Sequence, residues 1–305
     1  MTITTCGAVS TNRYFTLKSD GTLQIWDSVS NQCVESCVNE EWEFPFAGAV
    51  VHSVHPIIIL YGVNKKTMFL VHVSKLKYIE KVTIEEGRIR DVKISHDGAR
   101  IVVGCTGGFV SVFDFSVNQH TSELFPGDGI SVRVQPSLAK CKLSADIHSI
   151  DIHTDSKCVA MGGKSGVCLW QMTTSCNDVE VSENIKTLVS KPCAQVMFVY
   201  SPTPGLLYLD EESNHVHRIS MDGTLLWETG WDTSTFNLLH NGQFLATAWN
   251  TIHVYDVVTC VEMSTFVDHR ISEEFRCLVE LPMCVLGCDW SGRIYKFSPK
   301  LPNIV

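Results

Sequence analysis

The chain has 305 residues, with 24 Lys and Arg against 33 Asp and Glu, a formal net charge of −9 at pH 7, and 45% hydrophobic residues. That acidity excludes a nucleic-acid backbone as the main partner, because phosphate binding needs a concentrated basic face. No apolar run approaches the ~20 residues of a membrane helix, so membrane insertion is not expected.

The opening residues, MTITTCGAVS, carry neither the basic region nor the apolar core of a signal peptide. Thirteen cysteines without a Cys-x-x-Cys read as reduced thiols, buried as small hydrophobes in a cytoplasmic or nuclear protein. Structural zinc, which needs four convergent ligands, is not expected.

In chain order, seven stretches share one rhythm. Residues 13–27, RYFTLKSDGTLQIWD, run from an apolar segment through a Ser-Asp-Gly turn to an alternating segment that closes on Trp26 and Asp27. PIIILYGVNKKTMFLVHV (56–73), ARIVVGCTGGFVSVFDF (99–115) and KCVAMGGKSGVCLWQM (157–172) repeat the pattern. GLLYLDEESNHVHRIS (205–220), GQFLATAWNTIHVYDV (242–257) and MCVLGCDWSGRIYKFS (283–298) complete it. Matching first-strand positions recur near 15, 58, 102, 160, 207, 245 and 285. That is the period of a propeller blade.

Flanking segments such as IRDVKISHDG and IHSIDIHTDS supply one further strand, and CVEMSTF or TLLWETG another. Four short strands per unit predict an all-β fold: a seven-bladed β-propeller of four-stranded antiparallel blades, one domain over 1–305. The segment FPGDGISVRVQPSLAKCKLSAD (125–146) accounts for the longest interval and reads as an ordered excursion with an extra hairpin.

The Asp-Gly turns and third strands ending IWD, VFD, LWQ or VYD resemble the WD40-repeat family over essentially the whole chain. Among those strand ends only Trp26-Asp27 keeps the full dipeptide, and no Gly-His occurs. The family's buried Asp-His-Ser/Thr-Trp network therefore cannot form intact, and apolar packing between sheets must compensate. Members usually lend an N-terminal strand to the last blade. Here residues 2–9 suffice only for the first blade's innermost strand, so the last blade takes KLPNIV as a fourth strand or stays at three.

Chemical motifs are sparse. GGKSG (162–166) has Cys158 where a phosphate loop needs Gly, and reads as a hairpin turn. His215 and His217, with Glu211 or Glu212 nearby, fall short of a metal ligand set and read as a solvated strand face. His96 reads as a turn residue bonding its own backbone. Asp91, Asp151 and Asp146 sit where propeller enzymes place channel ligands, but blades five and six carry Ala194, Gln195 and Phe236 there. No cofactor and no catalysis are expected; the alternative is a propeller hydrolase or lactonase with a channel-bound metal.

The resemblance also implies one face that carries both the loops between second and third strands and the links between blades. Trp26, Trp170 and Trp227 fall on strands, between blades. Trp42, Trp231, Trp249 and Trp290 fall in loops of that face, on consecutive blades, accompanied by Glu41, Asp232 and Asp289. Aromatics beside carboxylates suit a protein or peptide bearing apolar anchors and Lys or Arg. The expected function is a non-catalytic protein-interaction scaffold within a larger intracellular assembly. A cullin-ligase receptor is disfavoured: its signature Arg two residues after the third-strand Asp is replaced by Val29, Ser116 and Val258.

Overall fold

The computed structural model describes residues 3–38, 42, 46–62, 65–73, 76–120, 129–135, 139–172, 184–282 and 284–298. Each hairpin read from the sequence is the second and third strand of a blade. Blade 1 contains β1 (Ile3–Ser10), β2 (Arg13–Lys18), β3 (Leu23–Asp27) and β4 (Cys33–Cys37), and blade 2 β5 (Phe46–Val51), β6 (Ile57–Gly62), β7 (Thr67–His72) and β8 (Lys77–Thr83). Blade 3 is built on β9 (Ile89–Ile94), β10 (Arg100–Cys105) and β11 (Phe109–His120), joined by β12 (Gly129–Val134) and β13 (Ala139–Lys142).

Blade 4 has β14 (Ile147–Ile152), β15 (Cys158–Gly163), β16 (Gly166–Gln171) and β17 (Ile185–Val189). Blade 5 has β18 (Cys193–Val199), β19 (Gly205–Asp210), β20 (Val216–Ser220) and β21 (Leu225–Glu228). Blade 6 follows with β22 (Thr235–Leu239), β23 (Phe244–Ala248), β24 (Ile252–Asp256) and β25 (Glu262–Phe266). Blade 7 shows β26 (Phe275–Leu281), β27 (Cys284–Asp289) and β28 (Ile294–Phe297) among the described residues. The protein is a seven-bladed β-propeller of four-stranded antiparallel blades. Among the described residues no helix is long and apolar enough to cross a membrane.

Why the second strands read as unbroken apolar runs is visible in β6. Every residue from Ile57 to Gly62 is buried, yet alternate side chains serve different cores. Ile57, Ile59 and Tyr61 face blade 3, while Ile58 and Leu60 face blade 1. Both faces of each sheet are covered by neighbouring blades, so period two survives without a polar face. The described apolar core divides into seven clusters, one at each blade–blade interface. Each fully buried Ile, Leu or Phe contributes about 1.5 to 3 kcal/mol. Fourth strands such as β4, CVESC, are largely exposed and read as polar accordingly.

Turn chemistry is local. Asp27 Oδ1 accepts from the Val29 and Ser30 amides and the Ser30 hydroxyl, and Asp256 repeats this with Val258 and Thr259. The third-strand aspartates are thus turn-formers. In the turn holding His96, Asp97 rather than the histidine accepts from Ser95 and Ala99. GGKSG is a hairpin: Gly163 pairs with Gly166 around Lys164 and Ser165. Gly166 has φ +93°, and a Cβ there would strike the Val189 carbonyl oxygen.

The excursion after blade 3 follows from the length of β11. Its first half pairs with β13, which is the blade's fourth strand, and its second half with β12. Val132 and Val134 of β12 pack into the core between blades 2 and 3. Residues 121–128 and 136–138 of this region lie outside the described residues.

Among the described residues the ring closes without a borrowed strand. β1 is blade 1's innermost strand and packs against β26 of blade 7. Trp26 is half-buried at this seam, stacked on Tyr14, with its Nε1 donating to Thr16 Oγ1 at 2.9 Å. KLPNIV lies outside the described residues.

Candidate functional site

The face carrying the inter-blade links holds a concavity of about 430 Å³ between blades 5, 6 and 7. Trp249, from the β23–β24 loop, and Trp290, from the β27–β28 loop, both line it, with Arg276, Glu274, Asn214 and Thr233. Backbone bonds fix the two loops. The Trp249 carbonyl accepts from Phe275 N at 2.8 Å, and Trp290 N donates to the Glu274 carbonyl at 3.0 Å. Ser234 Oγ reaches both Ala248 O and Phe275 O. The start of β26 therefore anchors both tryptophans.

The Trp290 side chain is 56% exposed, and the Arg276 guanidinium stands 4.2 Å from its ring centroid. Such a cation–π contact holds an aromatic in the open without burying it. Glu211, also at the rim, accepts a hydrogen bond from His148 Nδ1 at 2.6 Å across blades 4 and 5. The site thus offers aromatic surface, one guanidinium and carboxylates of two blades.

The other expected residues separate. Trp231 is 56% exposed, but stacks on His253 and donates to Glu262 Oε2 at 3.2 Å, over the outer strands of blade 6 and away from the concavity. Asp232 is exposed beside it. Trp42 is a correction: it is 3% exposed, edge-on to Phe46 in the core between blades 1 and 2. Asp289 is another, with no exposed side chain. It accepts from Arg293 N, Ser291 Oγ and Tyr295 Oη, and shapes the turn that presents Trp290. Glu41 lies outside the described residues.

No known family model matches this chain, and no curated protein matches it. The propeller is therefore read from its own blades.

The channel carboxylates are engaged with the backbone. Asp91 Oδ2 accepts from Ile150 N of blade 4 at 3.0 Å, and its Oδ1 from the Tyr61 hydroxyl of blade 2 at 3.3 Å. Asp151 accepts from Phe198 N of blade 5 at 2.7 Å. Where the acidic pattern lapses, Gln195 bonds both Phe236 N and O of blade 6, and Asn237 donates to Leu278 O of blade 7. These side chains stitch neighbouring inner strands together. Asp146 accepts from Gly107 N in a loop.

Lys93 stands between Asp91 and Asp151. Burial works against its ammonium, but the two carboxylates outweigh that and raise its pKa. Burial raises the Asp151 carboxyl, opposed by Lys93 and the Phe198 amide.

His215 and His217 do not converge on a shared ligand with Glu211 or Glu212. His217 is buried and stacked on Tyr208, near Asp210 and Glu228. Among the described residues no three His, Cys, Asp or Glu side chains are grouped to hold a metal ion.

Sequence reasoning missed Arg276 and Glu274. Their signal was the charged run EEFR entering an innermost strand, legible only once the β27–β28 loop is known to fold beside it.

Proposed function

We propose that this protein is a divergent WD40-like propeller acting as a non-catalytic interaction scaffold, a subunit of a larger cytoplasmic or nuclear assembly. The blade architecture, the Asp27 and Asp256 turns and the Trp26–Thr16 bond, one leg of the family's network, support the family reading. The partner is a protein segment that seats an apolar or aromatic anchor between Trp249 and Trp290 and turns a Lys or Arg toward Glu274.

The observation that carries this reading is Trp290: a large aromatic, more than half exposed, on a loop fastened at both its backbone and its ring. Exposed aromatics held rigid at a concavity are the usual anchors of protein recognition. The channel carboxylates, already bonded to neighbouring strands, offer no comparable support for hydrolysis.

The test is quantitative mass spectrometry of proteins co-purifying with the wild type and with Trp249→Ala, Trp290→Ala and Trp231→Ala. Expected is a common set of partners lost with the first two substitutions and kept with the third. Equal recovery by all four proteins would refute the site.

A further inference from the structure

Three thiols meet where the ring closes. Cys6 lies on β1, and Cys277 and Cys288 are direct cross-strand partners on β26 and β27. The Cys6 and Cys277 sulfurs are 3.4 Å apart although 271 positions separate them in sequence. Cys6 and Cys288 are buried, whereas Cys277 keeps partial exposure. Among the described residues no ladder of backbone hydrogen bonds joins β1 to β26; side-chain packing holds blade 1 to blade 7, helped by Lys296 Nζ donating to the Ser28 carbonyl at 2.8 Å.

The chemistry of the three sulfurs is unequal. Hydrogen bonds from the Cys288 and Cys6 thiols, with the Arg276 charge beside them, hold Cys277 well below the ordinary thiol value. Cys6 and Cys288 are pushed up as its donors. A stabilised thiolate on a partly exposed residue, beside a second thiol, is the arrangement of a redox-reactive pair. The Cys6 sulfur, 3.4 Å from that of Cys277 and on the other blade of the seam, is the resolving thiol whose bond would join the two blades.

We propose that Cys277 and Cys6 are a peroxide-responsive pair whose disulfide clasps blade 1 to blade 7 and closes the propeller covalently. The Cys277 thiolate attacks hydrogen peroxide: an S–O bond forms, the O–O bond breaks, and the departing hydroxide takes a proton to become water. The Cys6 sulfur then attacks the sulfenic sulfur. The S–S bond forms, the S–O bond breaks, and hydroxide leaves as a second water with the Cys6 proton. Two thiols and one peroxide give one disulfide and two waters. The sulfurs close from 3.4 Å to a bond length of about 2 Å. Because the bond spans nearly the whole chain, it constrains the unfolded state strongly.

The full chain is treated with a small molar excess of hydrogen peroxide, alkylated, and digested with trypsin without reduction. Cleavage after Arg13, Arg276 and Arg293 yields peptides 1–13 and 277–293. A Cys6–Cys277 bond links the two peptides, while a Cys277–Cys288 bond stays within one. Expected is the linked pair, reversed by dithiothreitol, lost in Cys277→Ser and kept in Cys284→Ser and Cys288→Ser, with a melting temperature several degrees above the reduced protein's. In Cys6→Ser, a dimedone-type reagent should trap the sulfenic acid on Cys277.

An oxidised product confined to peptide 277–293 would overturn the proposal. So would a linked pair that persists in Cys277→Ser, or complete oxidation of the exposed Cys33 before any link forms. Fragmentation of the wild-type linked pair assigns the bond to Cys277, Cys284 or Cys288, so misfolding of a serine variant cannot mask it.

Discussion

Asp91 ties blades 2, 3 and 4 together, and its replacement separates a structural carboxylate from a metal ligand. Asp91→Ala leaves the buried Ile150 amide without its acceptor and the Tyr61 hydroxyl without its partner. An unpaired buried N–H costs about 1 to 3 kcal/mol, and a lost hydroxyl bond about 1 kcal/mol. Lys93 also loses one of its two carboxylate neighbours. The total is about 3 kcal/mol, a large share of the roughly 5 to 15 kcal/mol that holds a folded domain together. Asp91→Asn retains an oxygen for the Ile150 amide and should lose about half as much. The assay is urea denaturation at neutral pH, comparing midpoints at constant slope. An Asp91→Ala protein within about 0.5 kcal/mol of the wild type, the range of an ordinary surface change, would refute the stitching role. A destabilisation that vanishes when a chelator is added to both proteins would instead assign the carboxylate to a cation.

Trp290→Ala should leave stability within about 0.5 kcal/mol of the wild type and weaken partner binding by about 2 kcal/mol or more, read by calorimetry on a captured partner peptide. Trp42→Ala should do the reverse, costing about 3 to 5 kcal/mol of stability with affinity unchanged in the folded fraction. Burial alone would raise the Asp210 carboxyl, but the Glu212 and Ser213 amides with Lys191 and His217 bring it below the ordinary value of 3.8. Its contribution is therefore complete above that value and lost as pH falls through the lowered folded one; acid titration of Asp210→Asn should show lower stability at neutral pH and a shallower acid limb. In native alkylation followed by mass spectrometry, the exposed Cys33 should react without denaturant, while Cys105 and Cys141, whose thiols burial pushes up to about 12, should react only after denaturant.

The blades were legible in the sequence because their causes are local. Alternation along β6, the Asp27 and Asp256 turns, and the two-residue turn between Gly163 and Gly166 each depend on residues within a few positions of one another. Repeated seven times, those local rules leave little choice of architecture. The fate of a loop side chain is another matter. Trp42 and Trp290 stand in similar company in the sequence, beside carboxylates and outside any strand, yet one is 3% and the other 56% exposed. Phe46 and the core of blades 1 and 2 receive the first, while Arg276, on a different strand, holds the second open. Asp91 and Asp289 read as surface or channel carboxylates until partners from other strands supply their donors. The three thiols at the seam lie on strands from opposite ends of the chain, and only ring closure brings them into contact. Hydrophobic periodicity and turn chemistry act through neighbours along the chain; exposure, charge pairing and thiol proximity act through space.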